Sequence, residues 1–210
     1  MQTKLVCFDL DHTLIQEIHS VMLPCILNGR EQDHKVIQAK EEAGLIDYIE
    51  ADHLRAKLLS GLDEKEIDKC FLDIAKPLKN IAETIQTLHA YSIKCIVVTV
   101  GPKQVAKVVA KLWEFDAHYG SDYEVVNGKF TGKIINYIKS ENKVDCLKDY
   151  CNREKLQAFE CVAVGDGATD IPLFEYCAKS IAINASEKAK EVATFSIDTD
   201  NLTDILGFIV

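Results

Sequence analysis

The stretch Val6-Cys7-Phe8-Asp9-Leu10-Asp11-His12-Thr13-Leu14-Ile15 decides the fold of this chain. An apolar run from Lys4 to Leu10 ends in acidic residues, which is typical of a buried strand that reaches an exposed edge. Asp9 and Asp11 would leave the same face of a continuing strand. Because ligands bind at the carboxyl edge of an open α/β sheet, this pair suits magnesium, or a nucleophile with a second acid–base carboxylate. A loop whose acidic residues cap the next helix is the alternative for this motif taken alone.

The composition is that of a soluble globular enzyme. The chain has 210 residues, 48% hydrophobic and 27% charged, which is enough for one large domain or a domain with a smaller insert. A net charge of −9 argues against a nucleic-acid partner and against binding to anionic lipid. No apolar run approaches the length of a membrane span, and the N-terminus lacks a signal-peptide pattern. The oligomeric state is left open.

The cysteines indicate a reducing compartment. They are scattered, none form a Cys-x-x-Cys pair, and several lie in apolar patterns where cysteine acts as a small hydrophobe. We therefore predict reduced core thiols in a cytoplasmic protein, rather than zinc ligands or disulfides. The eight cysteines stand at positions 7, 25, 70, 95, 146, 151, 161 and 177.

The segment after the first strand has a helical character. Residues 31–43 form a helical pattern that ends at Gly44, and residues 48–59 form a second one that stops near Gly61. No strand pattern interrupts them. We expect a helical cap over residues 16–75, inserted above the carboxyl edge of the first strand, and a core domain made of residues 1–15 and 76–210. A third apolar helical face is formed by Ile67, Cys70, Phe71 and Ile74.

The rest of the chain alternates between strands and helices. Pro77 and Pro102 can each begin a helix, and Ser140 could cap a helix that runs through Cys151. Asn127-Gly128 between two short apolar runs predicts a β-hairpin with a type I′ turn. This alternation predicts an α/β fold with a mostly parallel, doubly wound sheet. The predicted strands are 94–98, 123–126, 129–131, 161–164, 180–183 and 194–197.

Two polar residues lie at the ends of these elements, one at the end of a strand and one at the start of a helix. Thr99-Val100-Gly101 ends a strand just before a helix, and a hydroxyl beside a helix N-terminus makes a good phosphate site, although Thr99 could equally cap that helix. Lys143 falls in the first turn of a helix, where a cation is mildly unfavourable unless an anion lies opposite. A solvated surface lysine is the alternative.

A second pair of acids ends another strand. In Gly165-Asp166-Gly167-Ala168-Thr169-Asp170 the glycines permit a tight turn, with Asp166 at the strand end and Asp170 at the start of the next helix. Together with the first pair, these carboxylates could hold one divalent cation. Thr99 and Lys143 would then bind phosphate oxygens and neutralise charge, which is the chemistry of phosphoryl transfer.

These motifs, taken in order, resemble those of the haloacid-dehalogenase-like (HAD) hydrolases, and most closely their phosphoserine-phosphatase branch. The resemblance covers essentially the whole chain and implies a Rossmann-like core with a helical cap inserted after the first strand. The residues that carry it are Asp9-Leu10-Asp11-His12-Thr13, Thr99, Lys143 and Gly165-Asp166-Gly167-Ala168-Thr169-Asp170.

The resemblance also implies roles. Asp9 is the nucleophile that forms an aspartyl-phosphate, and Asp11 protonates the leaving alcohol and then deprotonates the attacking water. Thr99 and Lys143 hold the phosphoryl oxygens, and Asp170 also orients Lys143. The Mg²⁺ ligands are Asp9, Asp11 through its backbone carbonyl, and Asp166, supported by Asp170.

The substrate-binding residues match the branch less well. Arg55 aligns with an arginine that reads the serine carboxylate, while the glutamate position falls on Ile18, one residue after Glu17. Val100-Gly101 replaces the usual Gly-Gly, and Thr169 stands where the branch often has Asn. We expect a magnesium-dependent phosphatase of a small phosphorylated metabolite, with L-phosphoserine as the leading candidate. The alternatives are a phosphatase of another metabolite, a phosphomutase or phosphotransferase, and a non-catalytic regulator that binds a phosphometabolite.

Overall fold

A computed structural model describes residues 2–210, which fold into an α/β structure. The strands are β1 (Leu5–Phe8), β2 (Ile15–Gln16), β3 (Lys76–Pro77), β4 (Lys94–Pro102), β5 (Ala117–Val126), β6 (Lys129–Asn136), β7 (Cys161–Gly165), β8 (Lys179–Ile183) and β9 (Phe195–Ile197). The α-helices are α1 (Met22–Leu27), α2 (Glu31–Glu42), α3 (Tyr48–Leu58), α4 (Lys65–Ile74), α5 (Ile81–Ala90), α6 (Lys103–Leu112), α7 (Ser140–Glu154), α8 (Ile171–Tyr176), α9 (Glu187–Val192) and α10 (Leu206–Ile209). Short 3₁₀ turns cover Ala158–Glu160, Ala168–Asp170 and Leu202–Ile205.

The first strand lies at the centre of the main sheet. The strand order is β6-β5-β4-β1-β7-β8-β9, and all neighbours are parallel except the β5–β6 hairpin. Leu5 to Phe8 pair with β4 on one side and with β7 on the other. Every residue of β1 is buried, as expected for a strand covered on both faces. The carboxyl ends of β1, β4 and β7 therefore meet at one edge.

Alternate side chains of the strands fill two separate cores, one on each face of the sheet. This two-sided burial confirms the predicted doubly wound sheet. One core contains Val6, Phe8, Val97 and Val164 together with Ile85 of α5 and Val105 of α6. The opposite core contains Leu5, Cys7, Ile96 and Ala163 together with Leu147 of α7 and Leu173 of α8.

Helices α1 to α4 lie between two strands of a separate antiparallel ribbon. Ile15 pairs with Pro77 and Gln16 with Lys76, so the chain leaves the sheet through β2 and returns through β3. The loop after α3 is also tied to the β5–β6 hairpin, because the Gly61 N–H donates to the Phe130 carbonyl at 2.8 Å. The division into a core domain and a cap over residues 16–75 remains a prediction.

Several local predictions are confirmed, among them α2, α3 and the hairpin turn. Asn127 and Gly128 have φ angles of 52° and 77°, which a type I′ turn requires. Strand β5 is longer than predicted: it begins at Ala117, where Ala-His-Tyr-Gly-Ser has little strand propensity, because it pairs with Ile96 to Val98 of β4.

Two helix starts were predicted wrongly. Pro77 belongs to the ribbon, whose edge position tolerates a residue without an N–H, and α5 begins only at Ile81 after Asn80 turns with φ of 60°. Ser140 is the first residue of α7 rather than its cap, since its hydroxyl donates to the Thr169 carbonyl at 3.0 Å.

The cysteines are free thiols, and six of the eight are buried. The Sγ atoms of Cys151 and Cys161 are 3.6 Å apart in the core between α7 and β7. Within residues 2–210, the helices are too short or too polar to cross a membrane.

The contact between α4 and α6 can be tested by mutation. Phe71 is 1% exposed, and its ring packs edge-on against Trp113 with centroids 6.0 Å apart. We expect Phe71→Ala to lower the free energy of unfolding by about 3–5 kcal/mol, because a large cavity replaces the ring. Urea denaturation measures this. The neighbouring Leu72 is 59% exposed, so Leu72→Ala is the matched control and should change little. Equal effects of the two variants would contradict the packing described.

Candidate active site

Three acidic residues and one lysine meet at the carboxyl edge of the sheet. Asp9 directly follows β1, and its N–H continues the pairing with β7 by donating to the Val164 carbonyl at 2.8 Å. Asp166 directly follows β7, and Asp170 ends the 3₁₀ turn before α8. Lys143 reaches the same point from the first turn of α7. The structure therefore brings together residues that the sequence places up to 161 positions apart.

Lys143 is almost completely buried between two of the carboxylates. Its side chain is 1% exposed, and its Nζ donates to Asp9 Oδ1 at 2.5 Å and to Asp170 Oδ1 at 2.8 Å. Burial alone lowers the pKa of Lys143, but the Asp170 and Asp9 carboxylates outweigh it and raise the pKa above its ordinary value. Lys143 is therefore a permanent cation at this site, and the solvated-surface alternative for it is wrong.

The negative charge of the three carboxylates exceeds the positive charge of the one ammonium beside them. Burial and the neighbouring Asp170 carboxylate raise the pKa of Asp9, and Lys143 only partly opposes this. The same two causes raise the pKa of Asp166 to about 7. Three acids against one ammonium leave an excess of buried negative charge, which a bound cation would relieve.

The donor atoms suit a hard divalent cation. Asp9, Asp166 and Asp170 each offer an oxygen, and these oxygens lie within 4.8 Å of one another. Carboxylate oxygens are the ligands that Mg²⁺ prefers in proteins. The hydroxyl of Thr13 donates to Asp166 Oδ1 at 3.4 Å and orients that side chain.

The glycine-rich turn exists because Asp170 folds back over it. The Asp170 Oδ2 accepts from the Asp166 and Gly167 N–H groups, each at 3.1 Å. A Cβ on Gly165 would lie 2.4 Å from Asp170 Cγ, so the close approach requires glycine. Asp170 thus joins the turn after β7 to Lys143.

Asp11 binds Ser20 rather than Lys143. Its Oδ1 accepts from the Ser20 N–H at 2.5 Å, and its Oδ2 lies 2.6 Å from the Ser20 hydroxyl. Ser20 is fully buried just before α1. The Asp11 carboxylate therefore belongs to the junction between the sheet edge and the helices, apart from the three-acid group.

The carboxyl end of β4 contributes a second wall. Thr99 is 1% exposed, and its hydroxyl accepts from the Gly101 N–H at 2.9 Å rather than capping α6, which begins after Pro102. The Val100 carbonyl accepts from the Ser121 hydroxyl at 2.7 Å, which anchors the end of β4 on β5. A Cβ on Gly101 would lie only 2.1 Å from Ser20 Oγ, so Gly101 makes room for the serine that holds Asp11.

A cavity of about 400 Å³ opens beside these residues. The sheet edge contributes three lining residues, and the others come from α2, α3 and the segment that precedes α1. The lining residues are Asp11, His19, Val21, His34, Gln38, Glu41, Glu42, Asp52, Arg55, Val100 and Gly101.

Arg55 lines the cavity but is already engaged by two acids. Its guanidinium donates to Glu41 Oε2 at 2.5 Å and to Asp52 Oδ1 at 3.1 Å. Asp52 in turn accepts from the Tyr137 hydroxyl at 2.6 Å. His34 is 2% exposed, and its Nδ1, like the Nε of Arg55, has no hydrogen-bond partner within residues 2–210.

Three other residues singled out in the sequence do not line the cavity. Glu17 is exposed and has a left-handed φ of 60°. Thr169 is half-buried and contributes its carbonyl to Ser140. His12 also has a left-handed backbone, and its ring packs edge-on against His19 with centroids 4.4 Å apart.

Sequence reasoning missed the residues that complete the cavity. Ser20 follows no strand, and no spacing marks it as a partner of Asp11. His34 and Glu41 lie on the same helix, seven residues apart, a spacing that brings side chains to one face. That spacing was the available signal, but a polar helix face is usually solvated.

Residues 6–175 match the haloacid dehalogenase-like hydrolase family, and the chain belongs to it. It is 33% identical to the phosphoserine phosphatase of Lactococcus lactis subsp. lactis (strain IL1403) over 206 residues, which cover 98% of this chain and 94% of that protein. It is 31% identical to the phosphoserine phosphatase of Idiomarina loihiensis over 205 residues, covering 97% and 92% of the two chains.

Solved structures agree with these relatives. The fold matches a phospho-aspartyl intermediate analogue of phosphoserine phosphatase with a TM-score of 0.84 and 26% identity, over the whole of both chains. A substrate-bound phosphoserine phosphatase complex matches with a TM-score of 0.85 and the same identity, again over the whole of both chains. The sequence-based prediction of a HAD-type phosphoric monoester hydrolase is confirmed.

The space beside Gly101 gives the first test of the site. We expect Gly101→Ala to lower kcat/KM for p-nitrophenyl phosphate by about 10- to 100-fold, because the methyl group displaces Ser20 and with it the Asp11 carboxylate. Steady-state kinetics measure this. A Cβ on Gly207 meets nothing within 4 Å, so Gly207→Ala is the control. Full activity in Gly101→Ala would refute the role assigned to this contact.

The buried ammonium gives the second test. Replacing Lys143 by Met keeps most of the unbranched side chain but removes the ammonium. Two buried carboxylates are then left without their cation. We expect Lys143→Met to lower the free energy of unfolding by about 3 kcal/mol, as is usual when one partner of a buried ion pair is removed. Urea denaturation in metal-free buffer measures this, with Lys139→Met as the exposed control. A variant as stable as the wild type would show that the ion pair contributes nothing.

Proposed function

We propose that this protein hydrolyses a small phosphomonoester through a phosphoryl group carried transiently on Asp9. The observation that carries the proposal is the buried Asp9–Lys143–Asp170 arrangement beside a cavity that also contains Asp11. The relatives named above support L-phosphoserine as the first candidate substrate, and other small phosphorylated metabolites remain candidates.

Asp9 is the proposed nucleophile. Lys143 holds its Oδ1, which leaves Oδ2 as the attacking oxygen. This oxygen forms a bond to phosphorus while the bond between phosphorus and the ester oxygen breaks, and the electron pair leaves with the alcohol oxygen. Water then attacks the same phosphorus, releases inorganic phosphate and restores the Asp9 carboxylate.

Asp11 is the proposed acid and base of the two steps. It gives a proton to the leaving alcohol oxygen and later takes one from the attacking water. The Ser20 N–H can hold Asp11 Oδ1 in both states, and Asp11 Oδ2 exchanges the proton with the substrate when its contact with the Ser20 hydroxyl is released. Ser20 therefore keeps Asp11 in place throughout the cycle.

The negative oxygens of the phosphoryl group need donors. We assign this role to the Lys143 ammonium, to the Thr99 hydroxyl and to the backbone at the end of β4 that leads into α6. The Thr99 hydroxyl oxygen accepts from the Gly101 N–H, so the hydroxyl hydrogen is available for a phosphate oxygen. These groups are fixed before substrate arrives, which lowers the cost of reorganisation during the reaction.

We also propose that Mg²⁺ is the resident cofactor, held by Asp9, Asp166, Asp170 and the Asp11 backbone carbonyl. The three clustered carboxylates and their excess of negative charge support this assignment. When bound, Mg²⁺ neutralises charge on the transferring phosphoryl group.

A cytoplasmic location completes the proposal. The free thiols of the chain, six of them buried, suit a reducing compartment.

Replacing the nucleophile tests the proposal. We expect Mg²⁺-dependent phosphate release from p-nitrophenyl phosphate and L-phosphoserine by the wild type. Asp9→Asn should lower this release by at least about 10³-fold, because the amide is a poor nucleophile and also lacks the charge that Lys143 faces. A phosphate assay with and without EDTA measures both effects.

Asp73 is exposed, so Asp73→Asn is the matched control and should retain activity. Phosphate release by the wild type that survives in Asp9→Asn would refute the role of Asp9. A folded wild type that releases no phosphate from any ester would favour a phosphotransferase or a regulator.

A further inference from the structure

The cavity lined by Asp11 has more acidic than basic residues on its wall. Besides Asp11 it is lined by three acids, Glu41, Glu42 and Asp52, whereas Arg55 is its one cation within residues 2–210. A leaving group beyond the reacting phosphorus therefore meets a wall with an excess of negative charge.

Arg55 does not relieve this excess for an incoming anion. Its guanidinium already donates to Glu41 and Asp52, at 2.5 and 3.1 Å, and its side chain is only 11% exposed. The second oxygen of Asp52 is occupied by the Tyr137 hydroxyl, which fixes the acid in place. A substrate carboxylate that bound Arg55 would share the guanidinium with Glu41 and Asp52, and it would therefore lie against two carboxylates.

His34 lies on the same wall and adds no positive charge to it. The residue is 2% exposed, and its Nδ1 has no partner within residues 2–210. Burial, followed by the nearby Arg55 charge, lowers the pKa of His34 to about 4, so the ring is neutral at neutral pH. A neutral imidazole leaves the charge of this wall to the acids and Arg55.

We propose that the preferred substrate is a phosphorylated amino alcohol, that is, a phosphomonoester whose leaving group carries an ammonium and no carboxylate. The inference rests on the proposed phosphatase function and specifies its substrate class. Glu41, Glu42 and Asp52 supply the attraction for the cation, and Arg55 serves to hold two of these acids in position. The acids that attract an ammonium would repel a carboxylate on the same leaving group.

Three small esters separate the contributions. O-Phosphoethanolamine is L-phosphoserine without the carboxylate, and 2-hydroxyethyl phosphate replaces its ammonium with a neutral hydroxyl. We expect kcat/KM with Mg²⁺ at pH 7 to be at least about tenfold higher for O-phosphoethanolamine than for either of the other two esters. A value for L-phosphoserine or 2-hydroxyethyl phosphate that equals or exceeds it would overturn the proposal.

A pair of variants assigns the preference to the cavity. Glu41→Gln removes one acid and frees one side of Arg55, so the ratio of kcat/KM between O-phosphoethanolamine and L-phosphoserine should fall by at least about fivefold. Glu50 is exposed on α3 and outside the cavity, so Glu50→Gln should leave the ratio unchanged. An unchanged ratio in Glu41→Gln would show that the acids do not select the cation.

p-Nitrophenyl phosphate distinguishes a failure of the substrate class from a failure of the phosphatase function. If the wild type cleaves it with Mg²⁺ but shows no preference among the three esters, the substrate class is wrong and the phosphatase function stands. If the folded protein cleaves none of the four esters, the phosphatase function itself fails and the substrate class fails with it.

Discussion

The buried ammonium of Lys143 constrains the carboxyl edge of the whole sheet. A lysine that is 1% exposed is tolerated only when carboxylates face it, and here Asp9 and Asp170 do so at 2.5 and 2.8 Å. The end of β1, the first turn of α7 and the turn before α8 must therefore meet at one point. The central position of β1 between β4 and β7 makes this meeting possible.

The same constraint explains why most of the residues clustered at this edge could be predicted from sequence. Strand ends in a parallel sheet share one edge, so acids that follow two buried strands are expected to converge. Asp9, Asp166 and Asp170 do converge, and Lys143 is drawn to them by charge. The sheet itself followed from apolar runs, whose two-sided burial leaves few alternatives.

The helical part of the site was harder to predict. Its side chains meet through the packing of α2 and α3, and no period in the sequence records which polar residues face each other. Arg55 was identified, but its partner Glu41 was not. The glutamate position was counted from Asp9 and falls on Ile18, one residue after Glu17, and such counting cannot allow for the left-handed turn at Glu17 itself. Pro77 was mistaken for a helix start because the ribbon forms only through distant pairing.

The β2–β3 ribbon separates two groups of residues that can evolve independently. The clustered acids and Lys143 lie at the carboxyl edge of the sheet, whereas most of the cavity wall belongs to the stretch that leaves through Ile15–Gln16 and returns through Lys76–Pro77. Recombination between related genes at these two neighbouring positions would exchange the wall and keep the reaction. The main bonds to be refitted would be those of Ser20 to Asp11, of Tyr137 to Asp52 and of the loop after α3 to the β5–β6 hairpin. Selectivity and reactivity can therefore diverge at different rates in this lineage.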